Sequence, residues 1–203
     1  MMTKGVWLLA PILGLAASGV MAQDQGISPK TIEKVTTVCQ TCHGLRGDSV
    51  SGTFPRLNGQ QAKYVAAQLK NFREHSRGDP HAMAYMWGMA AQLDDALVED
   101  LAKYYASQKP TAPQTGGALA ARGKQIFLNG VEADHVPPCQ ACHGDHGEGS
   151  DDAPRIAGQH ADYLKHQLEA FRSRLRENEV MHANTKDMTD QEIDAIVSYL
   201  AND

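Results

Sequence analysis

The sequence predicts an all-helical protein made of two tandem copies of one small domain. A Cys-x-x-Cys-His motif at residues 39–43 recurs at residues 139–143. The stretch FPRLNGQQAKYVAAQLKNFR (residues 54–73) recurs as APRIAGQHADYLKHQLEAFR (residues 153–172). Apolar residues recur at helical spacing in both copies, and no run alternates as a β-strand does. Self-similarity at a fixed separation is the signature of a repeat, so each copy is one structural unit.

The repeat extends to the end of the chain and also gives the domain boundaries. Residues 86–107 match residues 181–202 at an offset of 95, whereas the motifs are offset by 100. We interpret the difference as a few loop residues lost from the second copy. Residues 109–117, KPTAPQTGG, have the composition of a linker. The predicted organisation is a leader over residues 1–22, a first domain over 23–109, a linker over 110–117 and a second domain over 118–203.

Helix signals are present in each copy. Ser28 and Pro29 form an N-cap and first-turn pair that predicts a helix leading into the first motif. Residues 118–128 predict its counterpart, and residues 60–72 and 159–171 predict the middle helices. Thr189 and Glu192 form a capping-box pattern before the last helix of the second copy. Its predicted buried face is Ile193, Ile196, Val197 and Leu200, and in the first copy Asp94 caps a helix that buries Val98, Leu101 and Tyr105.

The first 22 residues have the layout of a secretory signal peptide. Lys4 precedes an apolar run over residues 6–20, and the small residues Val20 and Ala22 occupy the −3 and −1 positions of a cleavage site. The run is short for a membrane span, and Pro11 interrupts it. We therefore predict cleavage after Ala22, an exported protein located in the periplasm, and a mature chain that is not an integral membrane protein.

Charge is distributed unevenly between the two copies. Residues 23–109 carry 10 basic and 9 acidic groups, a net of +1, whereas residues 110–203 carry 8 basic and 15 acidic groups, a net of −7. Such a chain lacks the basic surface that nucleic-acid binding requires. The contrast predicts that the two domains face different charged protein partners.

The two motifs contain all four cysteines, so their interpretation decides the function. A thioredoxin-like redox site would have one Cys-x-x-Cys beside a strand. A structural zinc site would bring two such pairs together at close spacing, but Cys42 and Cys139 are separated by a repeat boundary. Covalent haem attachment fits Cys-x-x-Cys-His in an exported protein, because two thiols can bond the porphyrin and the following His can bind the iron. We predict two haem c groups, bound through Cys39, Cys42 and His43 and through Cys139, Cys142 and His143.

The sixth iron ligand is predicted from the repeat. When the last helices are aligned, Met86 pairs with Met181, while Met188 takes the place of a core leucine, Leu93. These two methionines are the predicted axial ligands, so the metal-binding set is His43, Met86, His143 and Met181. His81 and His182 lie near the methionines and are the alternatives, and the other histidines are predicted to be solvated or in loops.

Further residues have predicted roles around the haem. An iron-bound His usually donates its second ring N–H to a fixed acceptor. The carbonyls of Pro55 and Pro154, at matching positions after the motifs, are the candidates. Arg56 and Arg155 are candidates to bind haem propionates, with a solvated surface arginine as the alternative.

The motifs resemble those of class I cytochromes c, and more closely those of the dihaem cytochrome c4 family. The resemblance rests on both Cys-x-x-Cys-His-Gly motifs, FPRLNGQ and APRIAGQ, QLKNFR and QLEAFR, and MWGMAAQLDDALVEDLAKYYASQ, and it covers nearly all of the mature chain. It implies two cytochrome c domains related by pseudo-twofold symmetry, with haem edges close enough for internal electron exchange. It also implies an exported electron carrier that often serves a terminal oxidase.

We therefore expect an electron-transfer protein, not an enzyme, with an electron donor and an electron acceptor as its redox protein partners. Two alternatives stay open from the sequence. One is a dihaem redox enzyme, such as a peroxidase or a thiosulfate-oxidising cytochrome, which needs an open or displaceable iron ligand. The other is the cytochrome subunit of a larger complex, such as a flavocytochrome c sulfide dehydrogenase.

Overall fold

The computed structural model describes residues 26–114 and 117–201, and within these ranges it is helical with no β-strand. The first domain contains α1 (Pro29–Lys34), a π-helical turn (Val35–Cys39), α2 (Gln40–His43), α3 (Ala62–Arg73), a second π-helical turn (Ala82–Met86), α4 (Trp87–Ala90) and α5 (Asp95–Ala106). The second contains α6 (Gly117–Asn129), α7 (Gln140–His143), α8 (Ala161–Arg172), α9 (Glu179–Thr185) and α10 (Asp190–Leu200). The predicted all-helical fold is confirmed, whereas the predicted leader lies outside the described residues.

The helix starts follow the capping signals in the sequence. The Ser28 hydroxyl accepts from the Thr31 N–H at 3.2 Å, and the Asp94 carboxylate accepts from the Leu97 N–H at 2.8 Å. Thr189 and Glu192 form the predicted reciprocal capping box at the start of α10. The predicted inward faces of α5 and α10 are both buried.

In each domain the first helix packs against the last helix, and the middle helix packs beside it. In the second domain α6 crosses α10 so closely that a Cβ on Gly123 would lie 1.9 Å from the Ala195 carbonyl oxygen. Four residues beyond Gly123, Phe127 is fully buried. In the first domain the buried residues four positions apart on the first helix are Thr31 and Val35. Thr31 therefore takes the place that Gly123 has at the helix crossing of the second domain.

The two copies differ in length at two places. In the second domain a loop with a bridge between Val131 and Val136 separates α6 from the motif helix α7. In the first domain α1 continues through a π-helical turn directly into the motif helix α2. Before the ligand methionines the offset between the copies falls from 99, at Asp79 and Asn178, to 95, at Met86 and Met181. The prediction that these extra residues of the first copy lie in a loop is wrong. Asp79 and Asn178 each cap a helix, but Met86 follows its cap by seven residues and Met181 by three. The extra residues in the first domain therefore form one helical turn.

Reciprocal hydrogen bonds join the domains. The Gln60 side-chain amide accepts from the Arg155 N–H at 2.8 Å and donates to the Arg155 carbonyl at 2.8 Å. Gln159 makes the equivalent pair with Arg56, at 2.8 and 2.9 Å. This interface has the pseudo-twofold arrangement that the resemblance implied. The glutamine of each domain bonds the arginine backbone of the other domain, as equivalent residues do in an isologous dimer.

The segment between the domains packs against both of them. The Asn58 side chain donates to the Lys109 carbonyl and to the Thr111 hydroxyl, both at 2.9 Å. From the second domain, Arg155 donates to the Thr111 carbonyl at 3.2 Å. Hydrogen bonds from both domains therefore hold the described part of this linker in place. Across all described residues, no helix has both the length and the apolar character needed to span a membrane.

His160 was predicted to be solvated or in a loop. It does lie in the loop before α8, but it is only 3% exposed, and its Nε2 lies 3.0 Å from the Ser49 carbonyl oxygen of the first domain. Its burial depends on the other domain, which the local sequence pattern does not show.

We expect Gly123→Ala to destabilise the protein by about 1–3 kcal/mol, because the added Cβ must force α6 and α10 apart. Urea unfolding of the haem-loaded protein, followed by circular dichroism, measures this change. Lys124→Ala is the matched control, since this exposed neighbour on α6 should shift the free energy of unfolding by less than about 0.5 kcal/mol. Equal effects of the two substitutions would contradict the close crossing.

Candidate haem sites

Each Cys-x-x-Cys-His motif forms a four-residue helix, α2 or α7, that ends at the histidine. The glycine that follows has a positive φ, +74° at Gly44 and +82° at Gly144. A Cβ on Gly44 would lie 2.3 Å from the Asp48 carbonyl oxygen, and one on Gly144 would lie 2.6 Å from the Glu148 side chain. Glycine is therefore required for the chain to turn sharply away after the histidine. This glycine recurs directly after both motifs, and that recurrence is the signal in the sequence that indicates the turn.

A backbone carbonyl holds each motif histidine in place. His43 Nδ1 lies 2.8 Å from the Pro55 carbonyl oxygen, and His143 Nδ1 lies 2.9 Å from the Pro154 carbonyl oxygen. The predicted role of the two proline carbonyls as acceptors is confirmed. The bond fixes the ring orientation and leaves Nε2 as the nitrogen available to a metal.

Both histidine rings are buried and favour the neutral form. Burial lowers the pKa of His43 and of His143, while the proline carbonyl bonded to each ring acts in the opposite direction. Neutral imidazole is the form that binds a metal through a ring nitrogen. The environment therefore holds the histidines in the protonation state that iron coordination requires.

The four cysteines lie in two similar pairs, and none of them forms a disulfide. Cys39 and Cys139 are half-buried against the cores of their domains, whereas Cys42 and Cys142 are exposed. Burial raises the pKa of Cys39, and it raises the pKa of Cys139 to about 11. Each pair therefore reaches from the hydrophobic core to the surface, as a group held along one porphyrin edge would require.

The methionines fall into distinct environments. Met86 packs at the margin of the first core, and Met181 is half-buried in the first turn of α9. Met83 and Met89 are 48% and 52% exposed, whereas Met188 is 5% exposed in the second core. Leu93 occupies the corresponding place in the first core, also at 5% exposure. Met188 therefore fills a core position, as its alignment with Leu93 predicted.

The alternative ligands and the arginines all have other contacts. His182 Nδ1 donates to the Phe171 carbonyl at 2.9 Å, and the His81 ring lies edge-on to His166 of the second domain, with centroids 5.1 Å apart. Arg56 donates to the Gly158 carbonyl at 3.0 Å, so its guanidinium binds across the domain interface. Propionate binding by Arg56 and Arg155 stays a prediction.

An aromatic contact distinguishes the first site from the second. Phe54 meets His43 edge-on with ring centroids 6.3 Å apart, and Tyr85 meets Phe54 edge-on at 5.2 Å. Ala153 and Val180 stand at the corresponding places of the second copy. Comparison of the two copies could have identified this difference, because both aromatic residues are replaced within segments that otherwise match.

The donor sets of the two sites fit haem c. Each domain provides two thiols separated by two residues, a histidine with one ring nitrogen fixed and the other available, and a half-buried thioether. Thiol, imidazole and thioether are the donors by which c-type cytochromes hold haem. The two sets recur in register, which a chance arrangement would not produce.

Known proteins are similar to this chain over most of its length. The family model described as cytochrome c matches twice, over residues 31–109 and 120–202. Cytochrome c-552 of Acidithiobacillus ferridurans is 38% identical over 83% of this chain and 75% of its own. Cytochrome c4 of Azotobacter vinelandii is 33% identical over 98% of this chain and 94% of its own. A thiosulfate dehydrogenase electron acceptor of Thiomonas intermedia is 35% identical over 80% and 77%.

Solved structures agree with these relatives. The cytochrome c4 structure of Acidithiobacillus ferrooxidans superposes with a TM-score of 0.76 at 39% identity, covering 80% of this chain and 96% of that one. Two matched cytochrome c domains correspond to two covalently bound haem c groups and to a protein that carries electrons. The chain belongs to the dihaem cytochrome c4 family.

Proposed function

We propose that this cytochrome is a periplasmic electron carrier, not an enzyme. It passes single electrons from a donor protein to an acceptor protein such as a terminal oxidase. The observation that carries the proposal is the duplicated histidine geometry, in which a proline carbonyl fixes Nδ1 of His43 and of His143. Two sites built alike suit one kind of chemistry performed twice. The proposed boundaries are a first domain ending at 109, a linker over 110–117 and a second domain from 118.

The residues of each site have separate proposed roles. Cys39 and Cys42, with Cys139 and Cys142, would anchor the porphyrin through thioether bonds. His43 and His143 would bind iron through Nε2, and the haem would supply reversible one-electron chemistry. The carbonyls of Pro55 and Pro154 hold the imidazole rings and increase their basicity as ligands.

Met86 and Met181 are the proposed sixth ligands. Both are less exposed than Met83 and Met89, which are 48% and 52% exposed, and Met188 belongs to the second core. A His–Met pair favours a relatively high reduction potential. It would also leave no open iron position for a substrate, and this donor set therefore supports a carrier over a peroxidase or another dihaem enzyme.

A second candidate function concerns the electron donor. One relative, to which this chain is 35% identical over 77% of the relative's length, is named as a thiosulfate dehydrogenase electron acceptor. By this analogy we propose a thiosulfate-oxidising dehydrogenase as a donor, from which one electron per haem would pass to this protein. The same protein could serve as a free carrier or as a subunit bound to such an enzyme, and co-purification separates these two forms.

Electrostatics would guide that encounter. Much of the acidic surplus of the second domain lies just after its motif, where Asp145, Glu148, Asp151 and Asp152 are exposed. The equivalent loop of the first domain contains Arg46 and a single acid, Asp48. Charge near an electron-exchange surface steers association and makes its rate depend on salt.

Replacing either ligand methionine should create one five-coordinate haem. We expect Met86→Ala and Met181→Ala each to remove about half of the weak red absorption band that a methionine–iron bond gives in the oxidised protein. Met83→Ala is the control and should leave the oxidised spectrum unchanged, since its side chain is largely exposed. A high-spin haem in the unmodified protein would rule out the carrier with two closed sites.

Export should remove the leader. Mass spectrometry of the periplasmic protein is expected to show a mature chain that begins at Gln23 and carries two haem groups. Changing Ala22 to a bulky residue such as Phe should block cleavage at that bond, because the −1 position requires a small side chain. A cytoplasmic protein that retains residues 1–22 would contradict the proposal.

Charge reversal should identify the docking domain. We expect Asp145→Lys to change the rate of reduction by a thiosulfate dehydrogenase several-fold at low salt, and the difference should shrink at high salt. Glu33→Lys, an exposed change of equal charge in the first domain, is the matched control. Stopped-flow absorbance gives both rates, and identical rates with identical salt dependence would exclude docking at the second motif loop.

A further inference from the structure

The residue directly after each proposed ligand methionine carries a ring that the proposed electron chemistry does not use. This residue is Trp87 in the first domain and His182 in the second. Trp87 Nε1 donates to the Arg77 carbonyl at 2.8 Å, and His182 Nδ1 lies 2.9 Å from the Phe171 carbonyl oxygen. Because a carbonyl can only accept, the histidine carries its proton on Nδ1. In both domains a ring N–H next to the methionine therefore binds a backbone carbonyl.

Both acceptor carbonyls belong to the end of the middle helix or to the turn that follows it. Phe171 lies in the last turn of α8. Arg77 follows α3, and its N–H donates to the Asn71 carbonyl of that helix at 3.3 Å. In each domain this middle helix packs against the last helix. Each ring therefore ties the segment that carries the methionine to the helical framework of its domain.

The turn after the middle helix makes a second contact with that segment in each copy. His75 and Arg174 are equivalent residues of this turn, with φ of +58° and +61°. The His75 ring stacks on Trp87 with centroids 4.0 Å apart and an interplanar angle of 11°. Arg174 pairs with Glu179, in the first turn of α9, at 2.8 Å. Different side chains thus make the same connection between the turn and the segment that carries the methionine.

The segments that carry the methionines are short. Met86 ends a five-residue π-helical turn before the four-residue α4, and Met181 lies in the seven-residue α9. Helices of this length do not hold their shape alone. Thioether sulfur is an uncharged donor, and a ligand on such a short helix needs supporting contacts to stay at a metal. The ring N–H bonds are contacts of this kind.

We propose that Trp87 and His182 are positioning residues, each of which keeps the methionine beside it at the iron through its ring N–H. The inference rests on the proposed ligation by Met86 and Met181. Outer hydrogen bonds orient a metal ligand, and their loss typically weakens metal binding by about 10–100-fold. Without the ring N–H, a small ligand from solution would replace the methionine more easily.

The second methionine has additional support. The Met181 N–H donates to the Asn178 side chain at 2.9 Å, and its carbonyl accepts from the Thr185 hydroxyl at 2.7 Å. At the place equivalent to Thr185 the first domain has Ala90, whose side chain cannot form this bond. The tryptophan therefore carries a larger share of the positioning in its domain than the histidine does in the other.

The test is a titration of the oxidised, haem-loaded protein with imidazole, which competes with methionine for iron. Met181→Ala provides a background in which only the first haem has a methionine, so the red absorption band reports that bond alone. In this background Trp87→Phe should lower the imidazole concentration that removes half of the band by about tenfold. Met89→Leu is the matched control on the same helix, since its side chain is 52% exposed, and it should leave that concentration unchanged.

The second domain supplies a rescue. In a Met86→Ala background, His182→Phe should also lower the imidazole concentration, but by less than Trp87→Phe does in the first domain. His182→Asn should restore it, because an asparagine side chain provides an N–H donor close to the position of Nδ1–H. A purely structural role of the histidine predicts equal effects of the two substitutions, since both remove the same imidazole ring.

An imidazole concentration that Trp87→Phe or His182→Phe leaves unchanged would overturn the proposal while leaving methionine ligation intact. A His182→Asn variant as sensitive to imidazole as His182→Phe would do the same. Should Trp87→Phe fail to fold, the two His182 variants decide alone. Absence of the red band from the Met181→Ala background would instead refute the proposed ligation by Met86.

Discussion

The bond from each motif histidine to a proline carbonyl is the contact on which the rest of the site depends. A four-residue helix such as α2 has too few internal hydrogen bonds to hold its shape alone. The Pro55 carbonyl anchors its last residue to the loop that follows, and Gly44 lets the chain turn between them. The carbonyl therefore fixes the orientation of the buried ring. Pro154 and Gly144 repeat the device in the second domain.

The pairing of the domains explains which residues the two copies share. Many identical pairs of the repeat, such as Gln60 with Gln159 and Arg56 with Arg155, lie at the domain interface and not in either core. Core positions can change more freely when volume is kept, as Leu93 and Met188 illustrate. The identity of the copies at Arg56 and Gln60 therefore reflects contacts across the twofold interface.

The sequence predicted the elements whose causes are local. Caps at Ser28, Asp94 and Thr189 and the inward faces of α5 and α10 follow from neighbouring residues, and the structure has them. It did not predict features that depend on distant chain segments. The burial of His160 requires Ser49 from the other domain. The additional turn before Met86 looked like a loop difference, because a π-helical segment has no distinctive apolar period.

The two copies agree at the domain interface and differ around the haem-binding motifs. The interface must satisfy buried amides and guanidinium groups, since an unpaired polar group there would cost about 1–3 kcal/mol. The faces around the motifs carry no such requirement, and there the copies diverge: Phe54 and Tyr85 line the first site, whereas the second has alanine, valine and an acidic loop. Two sites with the same donors can therefore meet different proteins. An electron carrier gains from this division because its donor and acceptor need not compete for one surface.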